Sequence, residues 1–293
     1  MNDKYHEQVS KSKVTTDDAA VKAAVEAILA KREENRNPEV LKKIFNCIDL
    51  TTLNATDSPQ SVARFTERVN EFESTYPDLP PVAAICVYPN FSQVVRTVLD
   101  VSEVNIACVS GGFPSSQTFE EVKIAETALA VDGGADEIDI VLNLGNFLDD
   151  DWEEVCDDIT EQKHATRDGV LKVILETGAL KTAENIRNAS ILSMYSDADF
   201  IKTSTGKGYP GASFEAAYVM CQCIKEYYEQ TGRKVGFKAA GGVSTTDDAL
   251  GYYTIVKEVL GEEWLDNEYF RIGASRLANK LLSDILGQEV AFF

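Results

Sequence analysis

Residues 104–142 read VNIACVSGGFPSSQTFEEVKIAETALAVDGGADEIDIVL and contain one complete strand–helix–strand repeat. The β-branched, apolar run Val104–Val109 predicts a strand, and Phe119–Asp132 predicts a helix that ends at a Gly-Gly pair. Glu137–Leu142 then predicts a second strand. Strands that alternate with helices indicate an α/β fold with a parallel sheet, so the architecture depends on how often this repeat recurs.

The same alternation recurs along the whole chain. We predict eight strands, with these approximate bounds: Ile44–Leu50, Val82–Tyr88, Val104–Val109, Glu137–Leu142, Val170–Leu175, Asp199–Lys202, Lys234–Lys238 and Tyr269–Ile272. The predicted helices between them include one that Ser58 caps and Pro59 opens, Phe119–Asp132, Asp149–Thr166, Thr182–Tyr195, Thr246–Leu260 and Arg276–Leu286. Eight strand–helix units predict a (β/α)8 TIM barrel of class α/β rather than an open sheet.

A single barrel domain is expected to span residues 42–288. Residues 1–41 form an N-terminal helical extension, in which Asp17–Arg36 carries apolar residues at helical spacing, and residues 289–293 form a C-terminal tail. The length of 293 residues would also suit two domains. The continuous repeat favours one, because α/β barrels reach about 250 residues as single units.

The composition excludes several classes of partner. The chain has 48 acidic and 28 basic residues, a net charge of −20, which repels nucleic acid and anionic membrane surfaces. No apolar run of about 18 residues predicts a membrane span, and Met1–Lys13 lacks the apolar segment of a secretory signal. We therefore expect a cytoplasmic protein that acts on small molecules and binds an anionic substrate only at a local positive site. A homodimer is an open alternative, because the apolar stripe of the N-terminal extension packs either on the barrel or on a partner subunit.

Neither a metal nor a cofactor is expected. The chain has two histidines, His6 and His164, without ligand spacing to cysteine, and no Gly-x-Gly-x-x-Gly opens a helix after an early strand. The cysteines form no CxxC pair, so we expect free thiols at Cys47, Cys86, Cys108, Cys156, Cys221 and Cys223.

Two neighbouring strands end in lysines, at Phe200-Ile201-Lys202 and at Gly236-Phe237-Lys238. Adjacent strands lie about 4.8 Å apart, so inward-facing lysines at one level would be close neighbours. Desolvation and a nearby cation lower the pKa of an amine and free it to attack a carbonyl, which predicts a nucleophile and its activator. The alternative is that each lysine pairs with a carboxylate at the rim.

The predicted fourth strand carries two acids on one face. In Glu137-Ile138-Asp139-Ile140, alternation puts the isoleucines against the helices and the acids inside the barrel. A buried carboxylate needs a cationic partner or a proton-transfer role. Asp139, nearer the C-terminal end of the strand, is the candidate for proton transfer, whereas a purely structural ion pair remains the alternative, above all for Glu137.

Glycine-rich turns follow the last three predicted strands: Thr205-Gly206-Lys207-Gly208, Gly241-Gly242-Val243-Ser244 and Gly273-Ala274-Ser275. Glycine lets backbone N–H groups approach an oxyanion, and each following helix presents a positive N-terminus. Barrels of this class often bind phosphate at the loops after strands seven and eight. These turns therefore predict a phosphate site, although each alone would also suit a plain turn.

Five segments, in order along the chain, resemble the deoxyribose-phosphate aldolase family of class I aldolases. They are residues 48–54 (IDLTTLN), 84–89 (AICVYP), 136–139 (DEID), 200–207 (FIKTSTGK) and 236–243 (GFKAAGGV). The resemblance extends over roughly residues 44–286. It implies reversible cleavage of 2-deoxy-D-ribose 5-phosphate to D-glyceraldehyde 3-phosphate and acetaldehyde.

The resemblance also implies roles for particular residues. Lys202 would form the Schiff base, Lys238 would lower its pKa, and Asp139 would relay protons through water. Asp49 would order the lysines, while substrate would be bound by the glycine turns together with Cys86, Thr51 and Lys207. We further expect the lysine pair to favour the thiolate of Cys86, the alternative being an inert core cysteine.

The chain departs from the family pattern at three places. Ser244 stands where bacterial members often have arginine, Arg276 stands where a second serine is common, and the tail Val290–Phe293 has no tyrosine. These departures suggest that the phosphate contacts are redistributed between the loops. Two other functions stay open, namely a Schiff-base barrel aldolase for a different sugar phosphate and a barrel that binds a sugar phosphate without catalysis.

Overall fold

The computed structural model describes residues 4–293. Within them, eight parallel strands form a closed barrel in chain order, as the repeat predicted. The strands are β1 (Ile48–Thr51), β2 (Ala84–Val87), β3 (Asn105–Val109), β4 (Glu137–Val141), β5 (Val170–Ile174), β6 (Phe200–Lys202), β7 (Gly236–Ala240) and β8 (Phe270–Ala274). None of the helices in these residues has the length and hydropathy that crossing a bilayer requires.

The helices surround the barrel and extend it at the N-terminus. They are α1 (Lys4–Ser10), α2 (Asp18–Leu29), α3 (Pro38–Asn46), α4 (Pro59–Thr75), α5 (Ser92–Val98), α6 (Glu120–Asp132), α7 (Leu144–Leu148), α8 (Trp152–Thr166), α9 (Thr177–Leu180), α10 (Ala183–Tyr195), α11 (Phe214–Thr231), α12 (Thr246–Leu260) and α13 (Leu277–Leu286). Most predicted bounds differ from these by a few residues.

Alternation along the strands divides the apolar residues into two groups. Ile138 and Ile140 of β4 belong to the large core between strands and helices, whereas Glu137 and Asp139 are fully buried on the opposite face. A smaller apolar cluster shares that inner face and consists of Leu53, Ala84, Cys86, Ala107 and Val109. The barrel interior therefore carries small apolar side chains on β2 and β3 and the buried carboxylates of β4.

The predicted first strand, Ile44–Leu50, is wrong at its beginning. Residues up to Asn46 belong to α3, and β1 starts only at Ile48. Asn37 caps α3 by accepting a hydrogen bond from Val40 N at 3.1 Å, and Ile44 and Phe45 are buried on the helix. The apolar residues of this run therefore form the buried face of a helix. A short apolar run alone does not distinguish such a helix face from a strand.

The predicted extension helix Asp17–Arg36 is interrupted. Helix α2 ends at Leu29, and a 3-10 turn follows at Arg32–Asn35. The side chain of Asn35 is buried and donates to Thr254 Oγ1 of α12 at 3.0 Å, which fixes the turn against the barrel. Together with Val21 and Val25, which are buried on α2, this contact joins the extension to the outer helices.

The C-terminal tail lies against α3 and α4. Phe292 and Phe293 pack on Phe72, and Arg68 donates to the Phe292 carbonyl at 2.8 Å. Phe72 is in the last turns of α4, which runs from the end of β1 back toward the start of β2. The tail therefore docks on the side of the barrel where the strands begin, opposite the side where they end.

Candidate active site

Lys202 and Lys238 are direct neighbours across β6 and β7, as their strand positions predicted. Each amine donates a hydrogen bond to the same oxygen, Asp139 Oδ2, at 2.7 Å. Lys238 Nζ also donates to Asp49 Oδ2 on β1. The structure therefore brings together Lys202, Lys238, Asp139 and Asp49 inside the barrel, all of which the sequence analysis had selected.

Two further cations complete this cluster, and the sequence analysis missed both. Lys172 of β5 donates to Asp139 Oδ1 at 2.8 Å and lies 2.5 Å from Glu137 Oε2. Arg271 of β8 donates to Glu137 Oε1 at 2.8 Å and to Asp49 Oδ1 at 2.7 Å. We call the whole set the interior network: Asp49, Glu137, Asp139, Lys172, Lys202, Lys238 and Arg271.

A simple signal would have found the missing cations. Lys172 lies in the middle of the apolar strand Val170–Ile174, and Arg271 lies between Phe270 and Ile272. A charge flanked by apolar residues in a barrel strand must face the interior, because its neighbours face the helices. The sequence analysis applied this test only to β4, where it found Glu137. The partners of that residue in an ion pair are Lys172 and Arg271.

The charges of the interior network do not balance. Within residues 4–293 it contains three carboxylates and four cations, so full ionisation leaves one excess positive charge. An excess charge in a buried site is costly, and release of one proton removes it. Arg271 does not lose its proton in proteins, so the proton comes from a lysine.

Contacts and burial select Lys202 as that lysine. Its amine has one ion-pair partner among the described residues, Asp139, whereas Lys238 pairs with Asp49 and Asp139 and Lys172 pairs with three carboxylates. Burial is the main cause that lowers the pKa of Lys202, and Lys238 lowers it further against the opposing effect of Asp139. Lys238 differs, because Asp139 and Asp49 outweigh its burial and raise its pKa.

The carboxylates remain ionised. Burial acts to raise the pKa of Asp139, but Lys172, Lys202 and Lys238 outweigh it and hold that pKa well below its ordinary value. Asp49 follows the same rule, since Lys238, Arg271 and Lys172 outweigh its burial and lower its pKa. Asp139 therefore contacts three amines as an anion and is able to accept a proton only transiently.

An open cleft of about 260 Å³ lies above the network at the C-terminal ends of the strands. Ten of the residues selected from the sequence line it: Thr51, Lys202, Gly206, Lys207, Gly241, Gly242, Val243, Ser244, Gly273 and Ser275. Lys202 is 4% exposed at its floor, whereas Lys238 is fully buried beneath. A carbonyl in the cleft is thus within reach of Lys202 alone of the two.

The glycines of the cleft are required by close approach. Gly241 has φ of +85°, and a Cβ there would lie 3.0 Å from Gly211 Cα. A Cβ at Gly273 would lie 3.2 Å from Lys238 Cε, so this glycine leaves space for the lysine. Larger residues would close the cleft or displace the network.

The rim of the cleft offers donors for an anion. The backbone N–H groups of Gly206, Gly242, Val243 and Ser275 form no hydrogen bond within residues 4–293. By contrast, Asp248 caps α12 and accepts from the N–H groups of Ser244 and Thr245 at 3.3 and 3.1 Å. The free N–H donors of the rim therefore lie in the glycine turns and at Ser275, whereas the N–H of Ser244 is already bonded.

Two long cations reach the rim. Lys207 donates to the Leu53 carbonyl at 2.6 Å, which places its amine across the cleft. Arg276 is exposed, lines the cleft and forms no ion pair or hydrogen bond with other described residues. In a chain with a net charge of −20, an unpaired guanidinium beside free N–H groups favours an anionic ligand.

Cys86 does not line the cleft. It lies on β2 in the apolar interior cluster and is 1% exposed. Burial raises the pKa of its thiol, and the opposing effects of Lys238 and Lys202 do not reverse this. The two lysines do favour the thiolate, but desolvation of the sulfur outweighs them, which favours the alternative of an inert core cysteine.

Comparisons with known proteins agree with this geometry. The model of the DeoC/LacD family aldolases matches residues 43–253. A putative deoxyribose-phosphate aldolase of Caenorhabditis elegans is 44% identical over 252 residues, which cover 85% of this chain and 83% of that protein. The deoxyribose-phosphate aldolase of Homo sapiens is 39% identical over 291 residues, which cover 94% of this chain and 89% of that protein.

A solved structure is similar as well. The crystal structure of a putative deoxyribose-phosphate aldolase from Coccidioides immitis matches with a TM-score of 0.69 at 26% identity, covering 88% of this chain and 96% of that one. The similarity therefore covers most of this chain.

Proposed function

The chain belongs to the DeoC/LacD aldolase family, and from that premise we propose that it reversibly cleaves 2-deoxy-D-ribose 5-phosphate to D-glyceraldehyde 3-phosphate and acetaldehyde. The reaction proceeds through a Schiff base on Lys202. The observation that carries this proposal is a lysine of lowered pKa at the floor of a cleft whose rim offers donors to an anion. The names of the similar proteins support the substrate.

The chemistry begins with attack of the neutral Lys202 amine on the C1 aldehyde. Loss of water gives a protonated imine, which withdraws electrons from the adjacent C2. The C3 hydroxyl then loses its proton, the C2–C3 bond breaks, and glyceraldehyde 3-phosphate leaves with C3 as its aldehyde carbon. The enamine that remains on Lys202 takes a proton at C2, and water releases acetaldehyde.

Asp139 is the group proposed to move these protons, acting through water. Its carboxylate lies 2.7 Å from the Lys202 amine and stays ionised, so it receives a proton and passes it on without storing it. Lys238 holds the same oxygen and keeps its own proton, which lowers the pKa of Lys202. Asp49 fixes Lys238 from the other side.

The phosphate is proposed to lie at the rim, between Lys207, Arg276 and the free N–H groups of the glycine turns. Arg276 occupies the position after Ser275 and supplies a guanidinium that Ser244 does not. A guanidinium binds phosphate through paired hydrogen bonds. Arg276, in the turn before α13, would therefore take the place of a cation in the turn before α12.

Borohydride trapping tests the proposal. Incubation with acetaldehyde or deoxyribose phosphate should add a covalent mass at Lys202, found by peptide mapping, and acetaldehyde should be released from the sugar. No adduct would favour a binding protein without catalysis. An adduct without acetaldehyde release would favour an aldolase for another sugar phosphate.

We also propose where the protein acts and how it associates. The acidic surface favours small-molecule substrates in the cytoplasm over nucleic acid or membrane partners. A homodimer is proposed through α6, because Phe119, Val122 and Leu129 are 78%, 51% and 70% exposed on one side of that helix. Sedimentation of the parent and of Leu129→Glu tests this, since the variant should dissociate at concentrations where the parent is dimeric.

A further inference from the structure

Glu176 is a buried carboxylate that the proposed mechanism does not use. It follows β5, is 2% exposed and has left-handed backbone angles, with φ of 56° and ψ of 58°. A non-glycine residue in this region is strained, and the surrounding structure must offset that strain. Such strain is typical of a side chain that is held in one place for a purpose.

The side chain of Glu176 forms hydrogen bonds with one residue, Thr205, among residues 4–293. Its Oε1 accepts a hydrogen bond from the Thr205 backbone N–H at 3.2 Å, and its Oε2 accepts from the Thr205 hydroxyl at 2.5 Å. Thr205 lines the cleft, three residues after Lys202 and two before Lys207. Along the chain it therefore lies between the proposed nucleophile and a proposed phosphate ligand of the same cleft.

These contacts fix the polarity of the Thr205 hydroxyl, which has one proton and two lone pairs. The Lys207 carbonyl at 3.2 Å competes for the proton, but the Glu176 oxygen is closer, so it takes the proton. The Lys207 N–H occupies one lone pair at 3.0 Å. One lone pair remains, and it accepts a hydrogen bond but offers none.

We propose that Glu176 is a positioning residue that holds the Thr205 hydroxyl as an acceptor, and that this pair selects a hydroxyl group on the non-reacting part of the sugar. This inference rests on the proposed function. Phosphate and carbonyl oxygens only accept hydrogen bonds, so neither suits Thr205. The C3 oxygen becomes a carbonyl during cleavage, whereas the C4 hydroxyl keeps its proton throughout and is the group selected.

The test compares two acceptor aldehydes in condensation with acetaldehyde. D-Glyceraldehyde 3-phosphate supplies the C4 hydroxyl of the product, and 3-oxopropyl phosphate lacks it. We expect Thr205→Val to lower the ratio of kcat/KM between the two aldehydes about fivefold, the effect of losing one hydrogen bond. Thr205→Ser keeps the hydroxyl and should retain the parent ratio.

Glu176→Gln provides a sharper variant of the same size. The Thr205 N–H keeps an amide oxygen as its partner, which directs the amide NH2 at the Thr205 hydroxyl and makes that hydroxyl a donor. The ratio should therefore fall as it does in Thr205→Val, and the double variant should fall no further. A merely structural role would lower kcat/KM for both aldehydes equally.

Trapping with acetaldehyde alone separates the possible failures, because it needs Lys202 and no acceptor. If the parent is neither trapped nor active in condensation, the proposed function fails. If the parent is active and the trapped variants Glu176→Gln and Thr205→Val both keep the parent ratio, the role of the pair is overturned. Thr205→Val alone decides the matter should Glu176→Gln fail to fold.

Discussion

Arg271 and Arg276 lie on either side of the end of β8 and contrast the two halves of the site. Arg271 is 5% exposed and donates to the carboxylates of Asp49 and Glu137. Arg276 is exposed at the cleft and has no ion-pair partner among residues 4–293. In the interior network, every charged side chain is paired with another side chain. At the rim of the cleft, donors are left without a protein partner and are available to a ligand.

This difference follows from what each half must do. The proton balance of the interior network depends on fixed distances in a water-poor interior, where an unpaired charge is costly. In the proposed reaction the rim binds and releases a phosphate, and the donors found there are backbone N–H groups and long exposed side chains. Substitutions in the two halves should therefore affect different measured quantities.

The largest expected effect is that of Lys202→Ala. No other group at the cleft floor is able to form the imine, so cleavage and borohydride trapping should both fall below detection. The fold should remain, as measured by circular dichroism and the denaturation midpoint, because Asp139 keeps Lys172 and Lys238 as partners. An adduct on Lys238 in this variant would reverse the assignment of nucleophile.

The two arginines provide a matched pair for stability. Arg271→Leu leaves Glu137 and Asp49 with fewer cations in a buried site and should lower the free energy of unfolding by about 3–5 kcal/mol. Arg276→Leu removes an unpaired surface charge and should change it by less than about 0.5 kcal/mol. Denaturant titration measures both. Equal losses would mean that Arg276 has structural partners in solution, against the division drawn above.

The sequence predicted the barrel and its inward-facing positions better than it predicted the full set of residues in the interior network. Eight strand–helix repeats give the barrel, and strand parity places Asp139, Lys202 and Lys238 on its inner face. Lys172 and Arg271 obey the same parity and needed only a systematic test of every strand. Most of the interior network was thus readable from the pattern of single charges in apolar strands.

Other features required coordinates. The contact of Glu176 with Thr205 joins two loops and depends on a left-handed residue that no local pattern indicates. The pKa of Cys86 depends on the balance between burial and two amines, which sequence order does not give. The start of β1 was misjudged because a buried helix face and a strand share the same short apolar run.

The substitution Lys238→Leu tests the charge count of the interior network. In Lys238→Leu, three carboxylates face three cations, so loss of the Lys202 proton would leave a net negative charge instead of a neutral cluster. The pKa of Lys202 should therefore rise, and the neutral amine should appear only at higher pH. The acid limb of the kcat/KM profile should move up by about one pH unit or more.

Lys238→Leu also packs differently, so a second measurement is needed. The pH dependence of acetaldehyde trapping reports the Lys202 amine directly and should shift in the same direction and by the same amount. A lower rate with an unshifted profile would mean that Lys238 only positions Asp139. That result would leave burial as the sole cause of the lowered pKa of Lys202.

A smaller effect is expected at the rim. Lys207→Ala and Arg276→Ala should each raise KM for deoxyribose phosphate about tenfold, the value of one charge-assisted hydrogen bond. Cleavage of unphosphorylated deoxyribose should change much less, because no phosphate is bound. Sulfate should inhibit the parent more than chloride at equal ionic strength. General screening depends on ionic strength alone, whereas competition for a phosphate site depends on which anion is present. Equal inhibition by both salts would argue against a built anion site.

The smallest effect on activity is expected from substitution of Cys86, which lies in the apolar part of the barrel interior. Its thiol is buried among Ala84, Ala107 and Val109, and burial raises its pKa, so little thiolate is present at neutral pH. Iodoacetamide should therefore modify Cys86 in the native protein at least tenfold more slowly than in the unfolded chain, as followed by mass spectrometry of its peptide. For the same reason, Cys86→Ala should change kcat/KM less than Lys207→Ala does, and prolonged acetaldehyde should inactivate the variant and the parent at similar rates. Rapid native labelling, or a variant that survives acetaldehyde much longer than the parent, would show that the interior cluster opens to the cleft during turnover.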